Sequence, residues 1–149
     1  MSRCWNNLGI CRDTADGSTR DAGVMMVRPE DLIWNRAAME RGGPRPGPGD
    51  LALASLLRCH NEVMSGGMDF AISDSLSRDE VRAGINGYRY FGLDAAARVF
   101  EEAADTEDED ALTALEERYA EVVPDDDVLV RAFEALLETR PTDFAAADR

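Results

Sequence analysis

The chain has 149 residues, 44% of them hydrophobic, and a formal net charge of −14. That length and apolar content give one domain with a sizeable core and exclude full disorder. No run of 18 or more apolar residues excludes a transmembrane helix, and the charge balance disfavours nucleic acid and anionic membrane as direct partners.

Residues 1–27 show no sustained period, so they read as an irregular segment or tail, with Trp5 and Val24–Val27 the groups able to order part of it. The start MSRCWNNLGICRD lacks the charged-then-apolar pattern of a secretory signal. Cys4, Cys11 and Cys59 have no paired spacing, which reads as free thiols in a reducing cytoplasm. Every strong base is Arg, so each cation is a planar fork rather than an ammonium.

Pro29 followed by Glu30 and Asp31 predicts a helix running to about Arg41 and stopped by Gly42-Gly43. The stretch from Pro44 to Gly49 cannot be helical. Asp50 is read as the N-cap of a second helix, with Leu53, Leu56, Leu57, His60 and Met64 inward and Gly66-Gly67 ending it. A short helical piece follows at Asp69–Ser75. Ser77 and Glu80 form a capping box for a helix with Val81, Ile85, Tyr88 and Phe91 inward, closed by Gly92. Gly84 and Gly87 within it predict close approach of a neighbouring helix. Asp94 is read as the cap of the next helix, with Ala96, Val99, Phe100 and Ala103 inward. Thr106 and Glu109 are read as a second capping box, for a helix carrying Leu112, Leu115, Tyr119 and Val122 on its buried face. After Pro124 a last helix buries Leu129, Ala132, Phe133, Leu136 and Leu137, ends at Pro141, and leaves Phe144 to pack back. No convincing strand and no internal repeat is present. The expectation is an all-α, single globular multi-helix domain of six or seven short helices, over residues 28–149.

The charge is concentrated in the last third. Residues 1–100 hold 13 Asp/Glu and 12 Arg, whereas residues 101–149 hold 17 Asp/Glu and 4 Arg. Between Glu101 and Asp127 the single base is Arg118. Such a field attracts basic protein surfaces, of which the face of a DNA-binding protein is a common kind. B-DNA carries one charge per about 1.7 Å of axis. Acids on one helix face recur every ~4.5–6 Å, so two neighbouring helices can present rows at roughly phosphate-like spacing. The residues expected to form this surface collectively are Glu107, Asp108, Glu109, Asp110, Glu117, Glu121, Asp125, Asp126 and Asp127. The plain alternative is a solvated face that confers solubility, with some acids merely complementing helix N-termini.

The segments HNEVMSGGMDFAISDSL, GYRYFGLDAAARVFEEA, ALTALEERYAEVVPDDD and LVRAFEALLETRPTDF, in that order, resemble the DNA mimic protein 19 family over about residues 50–146. Ser65 and Met68 flank the double glycine where that family more often has Asn and an aromatic residue. The resemblance implies an acidic, all-helical protein. Its named member is a DNA mimic that occupies the DNA-binding face of a transcription factor.

Other chemistry is poorly supplied. Asp125-Asp126-Asp127 lacks the alternating spacing of a calcium loop, and consecutive helical side chains diverge by about 100°. His60, the only histidine, reads as a core-edge residue. It has no C-x-x-C pair for zinc, and as the helix neighbour of Cys59 it cannot face it as a catalytic base. Gly66-Gly67 lacks the Lys and Ser/Thr of a phosphate loop, and Tyr88, Tyr90 and Phe91 with Arg82 and Arg89 read as core rather than as a base-stacking patch. No nucleophile, base and orienter can be named, so an enzyme is not expected, nor is a cofactor or metal. The sequence thus points to a non-enzymatic interaction protein with a basic partner. The runner-up is a helical ligand-binding or immunity-type inhibitor domain working through a groove near Gly66, Gly67 and Tyr88, sensitive at Met68 or Tyr90. A homodimer is compatible provided its two acidic regions stay apart.

Overall fold

In a computed structural model, which describes residues 28–146, six α-helices pack around one core: α1 (Pro29–Glu40), α2 (Pro48–Asp69), α3 (Arg78–Tyr90), α4 (Asp94–Ala104), α5 (Glu109–Val122) and α6 (Asp126–Thr139). A π-helical turn, Phe70–Ser75, links α2 to α3, and a 3₁₀ turn, Pro141–Asp143, follows α6. No strand occurs among the described residues, and the class is all-α. The expectations for residues 1–27, Cys4 and Cys11 among them, lie outside the described residues.

The longest helix, α2, packs against α1, α3, α5 and the π-helical turn, while α4 bridges α3 and α5. Its contact with α3 explains the two internal glycines. A Cβ on Gly84 would overlap the Cys59 sulfur, and one on Gly87 would overlap the Ala52 carbonyl oxygen. The missing side chains therefore let two backbones meet, which offsets the ~1 kcal/mol that each glycine costs a helix. Tyr88, Tyr119, Phe100 and Phe133 are fully buried at the centre. Met64, expected inward, is 64% exposed. The apolar face of α2 is carried instead by Val63 and Met68 at that end.

The helix starts correct three expectations. Asp50 is not the N-cap of α2. Gly47 is, with Pro48 in the first position, and Asp50 sits one turn in, its carboxylate reaching back to the Gly47 N–H at 2.9 Å. Asp94 is the first residue of α4, which has no side-chain cap. Asp108 rather than Thr106 caps α5, accepting the Ala111 N–H at 3.0 Å, and Thr106 merely accepts the Asp108 N–H. The capping box at α3 forms as read: Glu80 N–H donates to Ser77 at 3.1 Å and Ser77 N–H to Glu80 at 2.9 Å. Gly67, at φ 91° and ψ 171°, breaks α2 near its end, a conformation open essentially to glycine alone. The Met68 N–H freed there donates to Glu116 Oε1 at 2.9 Å.

Candidate partner-binding surface

The nine acids divide by what they do in the fold. Asp108 and Asp125 cap α5 and α6, each accepting a backbone N–H near 3.0 Å. Asp126 turns inward to His60, 2.9 Å from Nε2. The side chains of Glu107, Glu109, Asp110, Glu117, Glu121 and Asp127 make no hydrogen bond or ion pair with another described residue. Three of the nine thus make side-chain hydrogen bonds within the fold, and Glu109, Asp110 and Asp127 stand without one in the first turns of α5 and α6, where the helix dipole favours negative charge.

Their arrangement follows from the helix. Asp110, Glu117 and Glu121 fall within about 40° of one another on α5, rising about 10.5 Å and then 6 Å along it. Leu112, Leu115 and Tyr119 occupy the buried face. Asp108–Asp110 stand at one end of α5 and Asp125–Asp127 just past the other, about 21 Å apart. On ideal helix geometry Asp110, Glu117 and Glu121 thus form one stripe along α5, with the other acids of the set near its two ends. The sole base in the tract is neutralised in place: Arg118 of α5 grips Glu102 of α4 through two bonds of 2.9 and 3.2 Å. That pairing holds Glu102 below the usual carboxylate range.

Beneath the stripe runs a chain of polar groups that no sequence pattern announced. Asp126 Oδ1 meets His60 Nε2 at 2.9 Å, His60 Nδ1 meets the Tyr119 hydroxyl at 2.8 Å, and that hydroxyl meets the Tyr88 hydroxyl at 2.7 Å. A carboxylate on Nε2 places a hydrogen there. In the tautomer that leaves Nδ1 bare, Tyr119 donates to His60 and Tyr88 to Tyr119, so the three hydrogens run toward Asp126. His60 is 3% exposed, so it is a core residue rather than the core-edge one expected. The hydrogen bond from His60 holds the Asp126 carboxyl below its ordinary range. Burial drives both phenols upward and raises the Cys59 thiol to about 12, so none of the three ionises near neutrality. Cys59 faces α3 while His60 faces α5, and adjacent residues on α2 diverge as expected. Among the described residues no group of three or more His, Cys, Asp or Glu is placed to hold a metal ion.

Tyr88, expected beside a groove near the double glycine, is wholly buried, whereas Gly66 stays exposed next to the Phe70 ring and Gly67 lies against Glu116. An open groove of about 770 Å³ lies further along, between the π-helical turn, α3 and the α4–α5 link. Its floor is Ile72, Leu76, Val81 and Ile85, and its rims are Arg78 and Arg82 on one side and Asp105 and Glu107 on the other.

No protein family's sequence profile, no curated protein and no solved structure matches the chain. Among the described residues no helix is long and apolar enough to cross a membrane.

Proposed function

We propose that the chain is a non-enzymatic interaction protein whose α5 stripe binds the basic face of another protein, and that this partner is a DNA-binding protein which the stripe holds in place of DNA. The observation that supports the reading is that the side chains of Glu107, Glu109, Asp110, Glu117 and Asp127 make no hydrogen bond or ion pair with another described residue, while the one base among them is paired with Glu102. A span of about 21 Å covers roughly six base-pair steps, enough to meet one recognition helix or basic strip. The resemblance to the DNA mimic protein 19 family supports the same partner class.

The test is a pull-down from native host lysate with wild type and with a variant carrying Gln or Asn at Glu107, Glu109, Asp110, Glu117, Glu121 and Asp127. Asp108, Asp125 and Asp126 stay intact because the fold uses them. A DNA-binding protein retained by wild type alone and eluted by DNA supports the reading. Its affinity should fall with salt, and with a shallower slope in partially neutralised variants. Equal retention by both forms would assign the acids to solubility and turn attention to the groove beside Glu107.

A further inference from the structure

The open groove between the π-helical turn, α3 and the α4–α5 link has an apolar floor between rims of opposite charge. Leu76 and Val81 belong to the core, and Ile72 and Ile85 are half-buried against it. On one rim stands Arg78, exposed and making no hydrogen bond or ion pair with another described residue. Arg82, one turn on, is paired with Asp79 at 3.1 Å. That pair is worth little, because the two side chains are 71% and 89% exposed. On the other rim Asp105 and Glu107 are exposed, and their carboxylates make no hydrogen bond or ion pair with another described residue. The groove thus offers apolar surface together with free charge of both signs, on opposite sides.

Its periodicity is that of a helix. Arg78 and Arg82 are four residues apart, and so are Val81 and Ile85. A charged row and an apolar row therefore advance together along α3, about 6 Å per step. A second helix carries its own rows at the same interval. An extended peptide fits less well. No strand occurs among the described residues to pair with it, so its N–H and C=O groups would lie unpaired over the apolar floor. A helix satisfies its backbone internally. Nucleic acid or an anionic lipid could meet Arg78 and Arg82 but would be repelled by Asp105 and Glu107.

We propose that this groove docks an amphipathic helix of a protein partner. Its apolar seam lies on Ile72, Leu76, Val81 and Ile85, acids on one flank face Arg78 and Arg82, and bases on the other face Asp105 and Glu107. A helix with its flanks exchanged lies in the opposite direction along the groove. The requirement is therefore opposite sign on the two flanks, whichever is which. Glu107 adjoins the acidic set of α5, but the two surfaces select differently. The α5 stripe favours any dense positive charge, whereas the groove disfavours a helix that is basic on both sides. The inference does not rest on the reading of that stripe.

The test uses the full chain and three fluorescein-labelled helical peptides followed by anisotropy. They share one leucine seam and differ in their flanks: Glu opposite Lys, Lys on both, or Glu on both. Wild type should bind the Glu/Lys peptide about tenfold more tightly than either other, although the net charge of −14 favours the Lys/Lys peptide. Arg78→Glu with Arg82→Glu should reverse the order in favour of Lys/Lys. Acids suit the first turns of α3, and circular dichroism checks that this variant is folded. Neutralising Glu117, Glu121 and Asp127 should leave Glu/Lys binding unchanged, and the methyl resonances of Ile72 and Ile85 should shift on binding. Wild type that binds none of the peptides overturns the proposal. So does a preference for Lys/Lys that the arginine changes leave alone and that neutralising the α5 acids removes, a result that would favour the stripe instead. Self-association of wild type that Arg78→Glu abolishes would overturn it in favour of a second copy of the chain.

Discussion

Nε2 of His60 lies 2.9 Å from Oδ1 of Asp126, joining a ring inside the core to a carboxylate whose side chain is still 45% exposed. The pair spans 66 positions of sequence and ties α2 to the first turn of α6. With a bare Nδ1 on His60 the hydrogens of Tyr88, Tyr119 and His60 all run toward Asp126, and the members of the chain are then not equivalent.

Tyr119→Phe and Tyr88→Phe should therefore differ. Loss of the Tyr119 hydroxyl leaves His60 Nδ1 and the Tyr88 O–H unpartnered in the core, at about 1–3 kcal/mol for each group. Loss of the Tyr88 hydroxyl removes only the first donor and orphans no hydrogen, so it should cost under about 1.5 kcal/mol. Urea unfolding at pH 8 measures both, and equal costs would mean that the chain runs the other way.

Much of the fold was legible because it rests on local rules. The Ser77–Glu80 box, the glycine stops and the inward faces of α3 to α6 need only neighbours within a turn or two. The misread caps failed within the same rules: Asp50, Asp94 and Thr106 are good capping residues one turn, or one or two positions, from the true start. Pro48 at the first helical position of α2 was the signal that outweighed Asp50. The acids were visible as composition, but their division of labour was not. Asp126 meets His60, and Glu116 meets Met68 at a separation of 48 residues, and no periodicity carries a pairing of that range. The complete burial of Tyr88 is likewise a packing outcome that the spacing of residues does not carry.

Acid should weaken the fold through three carboxyls. Glu80, held low chiefly by the Ser77 N–H, Glu102, held low chiefly by Arg118, and Asp126, held low chiefly by His60, all have folded values below their ordinary ones. The stability they add is present above the unfolded values near 4 and is lost as pH falls through the folded ones. Asp126→Asn keeps an acceptor for His60 but removes the titration. Its urea midpoint should change less than that of wild type between pH 5 and the acid limb, and an identical acid profile would refute the assignment.

The glycines of α3 make a graded prediction. Gly87→Ala drives a methyl into the Ala52 backbone carbonyl, which cannot rotate aside, and should cost about 1–3 kcal/mol beyond the helix-propensity gain. Gly84→Ala meets a cysteine side chain instead. Cys59→Ala should relieve it, so the double variant should be more stable than the sum of the single costs implies. Additive costs would show that the two residues do not contend for the same space. Thermal melts of the four proteins decide it.

Burial that lifts the Cys59 thiol to about 12 should also shield it from alkylation. At pH 8 iodoacetamide should leave Cys59 unmodified in the folded chain and label it in urea, as peptide mapping would reveal. Since the unfolded thiol ionises near 8.5, this group should also subtract stability as pH rises from there toward the folded value. Labelling of Cys59 without denaturant would mean that the α2–α3 contact opens readily.

The hydrogen bond from Met68 to Glu116 has a consequence for how the acids outside α5's buried face are displayed. An unstructured acidic tail loses about 1–2 kcal/mol of backbone entropy for each residue that a partner makes it order. Here the helix bearing Asp110, Glu117 and Glu121 is already fixed at its midpoint to the bend in α2 and along its length by Leu112, Leu115 and Tyr119. A binding partner would have only carboxylate rotamers left to restrain, so the negative charge is offered as a rigid template and most of the ordering precedes the encounter.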